Sequence, residues 1–151
     1  MSYLQKESVV ETTFHVRYAE TDAMGVVHHA NYLVWFEEGR SALMRAHGTS
    51  YRIFEAEGLQ LAVSEARVRY IAPALYDQLI TVRCWIESIQ SRKMRFGYEV
   101  VHAESDKRLV TGFTDHICIT PDGKAARIPE KWRSLFANVA QLKNSLTINT
   151  V

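Results

Sequence analysis

The chain has 151 residues, 47% of them hydrophobic, and a formal net charge of +1. That length and apolar content suit one globular domain with a sizeable core, and they exclude a disordered tail. The near-neutral balance gives no support to a nucleic-acid partner, which calls for a basic excess.

The opening MSYLQKESVVETTFHVRY breaks its apolar residues with charges, unlike a secretory signal. No apolar run approaches the roughly 20 residues of a membrane span. Cys84 and Cys118 each sit in a strand-like apolar pattern and read as reduced core residues. A cytoplasmic location is expected.

In chain order, Val10, Thr12, Phe14, Val16 and Tyr18 alternate with polar residues, which predicts a half-buried strand. From about Asn31 to His47 the period changes. Tyr32, Trp35, Phe36, Gly39, Leu43 and Ala46 recur at three- and four-residue steps, which predicts an amphipathic helix stopped by Gly48. A short helical turn is expected over Tyr51 to Glu57. Four strands follow, in LQLAVSEARVRYIAP, LITVRCWIESI, MRFGYEVVH and RLVTGFTDHICIT, the last ending at the turn PDGK. A final helix begins after Pro129, and residues beyond about Asn144 read as a frayed tail. Strands in succession with short turns imply an antiparallel sheet. A single layer of each element leaves sheet edges to cover, and pairing edge to edge between copies is the simplest remedy.

The stretch YAETDAMGVVHHANYLVWFEEGR, from Tyr18 to Arg40, joins the first strand to the long helix. Asp22 stands in this loop, where it serves as a turn or cap residue or as a functional carboxylate. Gly25 permits a sharp bend there. The first amides of a helix lack internal partners and carry partial positive charge, so His28, His29 or Ala30 are candidate donors to a developing oxyanion. An acid beside such donors is a minimal device for acyl transfer, attacking a carbonyl or activating water. Asp22, His28 and His29 do not form a zinc pattern. Glu37 and Arg40 are spaced to pair along the helix. Arg92, Lys93 and Arg95 cluster at a strand start, and Lys124 and Arg127 follow a turn. They form either a solvated face or donors for phosphate groups.

The segment RYAETDAMGVVHHANYLVWFEEGRSALM closely resembles the signature of hotdog-fold acyl-CoA thioesterases of the 4-hydroxybenzoyl-CoA type. It looks most like the branch that includes the thioesterase associated with the bacterial Tol-Pal system. RYIAPALYDQLITV, SRKMRFGYEV and GKAARIP also resemble family segments, so the likeness runs from about Val9 to Ala137. It implies an α+β fold in which a curved antiparallel sheet of about five strands wraps a long central helix. It also implies a homodimer or homotetramer with active sites at the interface.

By the same resemblance Asp22 is the catalytic aspartate, acting as nucleophile or general base, and the His29 amide polarises the thioester carbonyl. Gly25, Val27 and His28 border the substrate, and Arg92, Lys93 and Arg127 hold the phosphates of coenzyme A. No metal or other cofactor is expected, and an acyl carrier protein stands beside coenzyme A as a thioester donor. A hotdog hydratase or dehydratase, and a non-catalytic acyl-CoA binding module, remain alternatives.

Overall fold

A computed structural model describes residues 9–138; the tail beyond about Asn144 lies outside them. Five strands form one antiparallel sheet: β1 (Val10–His15), β2 (Gln60–Tyr70), β3 (Leu79–Ile89), β4 (Lys93–His102) and β5 (Arg108–Ile119). Their spatial order is β1-β3-β4-β5-β2. Sequence neighbours β3, β4 and β5 pair as hairpins, while the early strands separate to the two edges.

The 16-residue helix α1 (Asn31–Ala46) lies across the concave face, and the short α2 (Tyr51–Ala56) follows it. A further helix, α3, is described over 130–138, immediately after Pro129. This α+β arrangement is the hotdog architecture read from the sequence.

The periodicities explain the packing. α1 buries Tyr32, Trp35, Phe36, Gly39, Leu43 and Met44, so Met44 takes the inward place expected of Ala46, which is exposed. Alternate residues Ile80, Val82, Cys84 and Ile86 of β3, and Met94, Phe96, Tyr98 and Val100 of β4, meet that stripe. Phe36 stacks on Tyr98 with ring centroids 4.1 Å apart. The close approach depends on Gly112 of β5, where an added Cβ would lie 2.8 Å from the Phe36 ring and 2.2 Å from the Arg67 carbonyl. Cys84 and Cys118 are buried in the core, and no disulfide joins them.

β1 is shorter than its alternation predicts. It ends at His15, and Tyr18–Glu20 form a 3-10 turn that leaves Tyr18 77% exposed. The cause is local: the Glu20 carboxylate reaches back to accept the Arg17 amide at 2.8 Å, which ends the extended run.

The register fixes two ends of the molecule. His15 pairs with Leu79, so the loop holding Asp22 leaves the sheet where β3 begins. The β3–β4 hairpin, with Arg92, turns at the other end, beside the end of β5. β3 has 11 residues, and at about 3.3 Å per residue the two ends lie roughly 30 Å apart along it. Among the described residues, no helix is long and apolar enough to cross a membrane.

Candidate active site

The loop before α1 is a closed, hydrogen-bonded unit. The Asp22 amide donates to the Val26 carbonyl at 2.8 Å, and the Gly25 amide donates to the Asp22 carbonyl at 3.0 Å. Asp22 Oδ1 accepts the Met24 amide at 2.8 Å and the Val26 amide at 3.4 Å. One carboxylate oxygen therefore serves as the turn residue, and the other has no partner among the described residues. The turn and functional readings of Asp22 are thus compatible, each using one oxygen. Gly25 has φ +80, and an added Cβ would meet nothing within 4 Å. Backbone conformation, not crowding, favours glycine there.

Next come the candidate oxyanion donors. The His28 amide donates to the Glu20 carbonyl at 2.8 Å, and the Ala30 amide donates to His28 Nδ1 at 3.2 Å. Only the His29 amide of the three lacks an acceptor among the described residues. Its direction is nevertheless set. The His28 carbonyl, in the same peptide plane, accepts the Asn31 amide at 2.9 Å. In a trans peptide the N–H points opposite the carbonyl, so the His29 amide faces away from the turn interior. The next plane is held by Tyr70, whose hydroxyl donates to the His29 carbonyl at 2.8 Å.

Sequence reasoning missed the residue that joins these parts. Glu20 is only 8% exposed. Its carboxylate accepts the Arg17 amide at 2.8 Å, Arg17 Nη1 at 3.2 Å and Trp35 Nε1 at 2.5 Å. Its carbonyl accepts the His28 amide and Asn31 Nδ2, both at 2.8 Å. Glu20 thereby ties the loop to α1 on both sides of the His29 amide. The three-residue spacing from Arg17 to Glu20, typical of a reach-back carboxylate, was the available signal. Tyr70 offered none, since its role depends on a contact 41 positions away.

The remaining expected residues fall in different places. The rings of His28 and His29 lie against each other, centroids 4.2 Å apart, and both residues are exposed beside the loop. Val27 is buried in the core, and its amide donates to the Ala74 carbonyl at 2.9 Å. It therefore braces the loop from behind. The Glu37–Arg40 helix pair does not form; Arg40 Nη1 donates instead to Tyr98 Oη at 3.1 Å, because the sheet offers a partner the helix surface does not.

Arg92, Lys93 and Arg127 gather at the far end. The Ile128 amide donates to the Ser91 carbonyl and the Cys118 amide to the Arg92 carbonyl, both at 2.8 Å, which brings residues 91–93 beside 126–128. All three side chains are exposed, and none makes an ion pair among the described residues. Arg95 and Lys124 differ: Arg95 grips Asp115 at 2.7 and 3.0 Å, and Lys124 lies 3.7 Å from Asp122. Arg95 holds the Asp115 carboxyl below its ordinary range. Among the described residues, no three His, Cys, Asp or Glu side chains converge as a metal site.

Comparison with known proteins supports the fold and the family. Residues 16–136 match the family model described as the thioesterase-like superfamily. The chain belongs to that superfamily. It is an enzyme of the thioester hydrolase class, as the resemblance of its loop and helix implies. It is 37% identical over 128 residues to YneP of Bacillus subtilis (strain 168), covering 85% of this chain and 90% of that protein. It is 34% identical over 90 residues to the acyl-CoA thioester hydrolase YbgC of Escherichia coli O157:H7, covering 60% of this chain and 67% of that one. Among solved structures, DHNA-CoA thioesterase from Staphylococcus aureus superposes with a TM-score of 0.85 at 32% identity, over 91% of this chain and 94% of that chain.

Proposed function

We propose that this thioesterase hydrolyses acyl-CoA thioesters to a free acid and coenzyme A, with Asp22 as the reacting carboxylate and the His29 amide as the oxyanion donor. The observation that carries this reading is that one loop holds a half-free carboxylate and, of the three candidate donor amides, the one that lacks an acceptor among the described residues. In one route Asp22 takes a proton from water as the resulting hydroxide adds to the thioester carbon. The tetrahedral oxyanion faces the His29 amide, the C–S bond breaks, and the thiolate recovers the proton. In the other, Asp22 attacks the carbon, coenzyme A leaves as thiolate, and water cleaves the resulting anhydride. A single turnover in ¹⁸O-water that labels Asp22 identifies the second route, with water adding to the aspartyl carbonyl of the anhydride, because the first leaves the Asp22 oxygens untouched.

The working site spans two copies of the chain. Within one protomer, the phosphate-binding candidates Arg92, Lys93 and Arg127 sit roughly 30 Å of strand from Asp22. β2 is an 11-residue edge strand, unpaired on its outer side among the described residues. Exposed apolar residues flank its Tyr70 end and the Asp22 loop: Met24 at 82%, Ile71 at 49% and Leu75 at 42%. Antiparallel pairing of two β2 edges covers this patch. It also sets the Asp22 end of one copy beside the basic end of the other.

The test is thiol release from a panel of acyl-CoA esters, run beside Asp22→Asn and beside one acyl carrier protein thioester. Release that vanishes in the variant while folding is retained supports the assignment; turnover at the wild-type rate in Asp22→Asn removes it. For the shared site, heterodimers of Asp22→Asn chains with Arg92→Ala/Arg127→Ala chains should regain one intact site. A heterodimer no more active than the mean of its parents places both functions in a single protomer.

A further inference from the structure

Beside the second half of α1 lies a cavity of about 130 Å³ that the catalytic loop does not use. Met44, Leu61 and Phe96 give it apolar walls, and Glu37, Arg40, Ser41 and His116 give it polar ones. Leu61 stands near the start of β2, the end that antiparallel pairing sets beside the Asp22 loop of a second copy.

Arg40 is aimed by a buried chain of hydrogen bonds. Its Nη1 donates to Tyr98 Oη at 3.1 Å; Tyr98 Oη lies 2.6 Å from Thr114 Oγ1; Thr114 Oγ1 lies 2.8 Å from His116 Nε2; His116 Nδ1 lies 3.3 Å from the Leu61 carbonyl. The donors can be assigned throughout. A carbonyl only accepts, so Nδ1 carries the proton, and in a neutral ring Nε2 then accepts. Thr114 therefore donates to His116, Tyr98 donates to Thr114, and Arg40 donates to Tyr98. Burial holds the ring neutral by lowering the His116 pKa to about 4.

The hydrogen-bond chain thus runs one way, and among the described residues Arg40 has no acceptor except Tyr98 Oη. A guanidinium has five N–H donors, and among the described residues no carboxylate lies within ion-pair distance of Arg40. The half-buried cation consequently has donors left over at the wall of a cavity that mixes apolar and polar sides. Glu37 brings an acceptor to the same wall. A hydroxyl complements both, accepting from Arg40 and donating to Glu37. A carboxylate would meet Glu37, and a plain hydrocarbon would desolvate Arg40 without replacing its water.

We infer that Arg40 is a specificity determinant of the acyl pocket, selecting acyl groups that carry a neutral hydroxyl at the end remote from the thioester. Tyr98, Thr114 and His116 are its positioning residues. This inference rests on the acyl-CoA reading above, but it can be tested without turnover.

Non-hydrolysable alkyl-CoA thioethers with four to ten carbons, each ending in methyl, hydroxyl or carboxylate, are titrated calorimetrically into the full chain. At the chain length that reaches the cavity, the hydroxyl member should bind about tenfold more tightly than the methyl member, as expected for a hydrogen bond to a charged donor, and more tightly than the carboxylate. Arg40→Met should bring the hydroxyl and methyl members together, with the methyl series bound more tightly than in the wild type because no cation is then desolvated. Thr114→Val, which leaves Arg40 in place but breaks its support, should reduce the preference partway.

Equal affinities across the end groups in the wild type overturn the inference, as does a preference that survives in Arg40→Met. Since the thioethers report binding alone, absent hydrolysis of the matching thioesters would count against the proposed activity and leave this result standing.

Discussion

The two ends of the sheet are built to different tolerances. At the Asp22 end, the Glu20 carbonyl, the Asn31 amide and the Tyr70 hydroxyl hold successive peptide planes around His29. At the far end only the backbones of residues 91–93 and 126–128 are tied, while Arg92, Lys93 and Arg127 extend into solvent. Bond-making needs donors held in a narrow range of directions, whereas phosphate recognition works with point charges on long stems. The contrast therefore predicts loss of kcat from damage at one end and loss of affinity from damage at the other.

The largest effect is expected at Asp22. Asp22→Asn keeps an oxygen for the Met24 amide but removes the basic carboxylate, so kcat should fall by about 10²–10⁴ with little change in melting temperature. A drop in melting temperature matching the activity loss would make Asp22 a turn residue only.

The next effect concerns the far-end interior and is one of stability. His116 titrates near 6.5 when unfolded and at about 4 when folded. Between those values the unfolded chain binds the extra proton, so stability should be full above about pH 6.5 and fall by roughly 3 kcal/mol as pH drops towards 4. Urea unfolding across that range, repeated on His116→Gln, checks this; the same pH slope in both proteins would assign it to other groups.

Glu20 then sharpens the contrast. Glu20→Gln leaves the side chain nearly the same size but turns one acceptor into a donor facing existing donors, at a cost of about 1–3 kcal/mol. Melting temperature should fall. Because the His29 amide loses its bracing, kcat should drop by roughly tenfold or more with KM almost unchanged. A rise in KM alone would break the assignment of Glu20 to the catalytic end.

The smallest effect belongs to the cations. Arg92→Ala/Arg127→Ala should raise KM for acyl-CoA about tenfold, leave kcat alone, and have no effect on an acyl-pantetheine lacking the nucleotide. Equal loss on both substrates would show a structural role.

Much of this was legible in the residues, but unevenly. The helical period from Tyr32 to Leu43 and the alternation of β3 and β4 identify the layers, because side-chain periods follow directly from backbone geometry. The pairing of β2 with β5, and of β1 with β3, has no local signal, since strand order is settled by global packing. The same division appears in the site. Asp22, Gly25 and the start of α1 lie close in sequence and could be read together. The grip of Tyr70 on His29 and the diversion of Arg40 to Tyr98 arise only when distant strands meet the helix. Glu20 falls between these cases: its reach back to Arg17 has a readable spacing, while its bond to Trp35 does not.

The length of β3 has one further consequence. On the proposed assignment of Asp22 and the cations to opposite strand ends, a solitary chain would bind the nucleotide where it could not cut and cut where it could not bind. In the paired arrangement proposed above, dilution itself becomes an off-switch. Newly made chains would then stay inert until they met, and specific activity should rise with protein concentration through the dissociation constant of such a dimer.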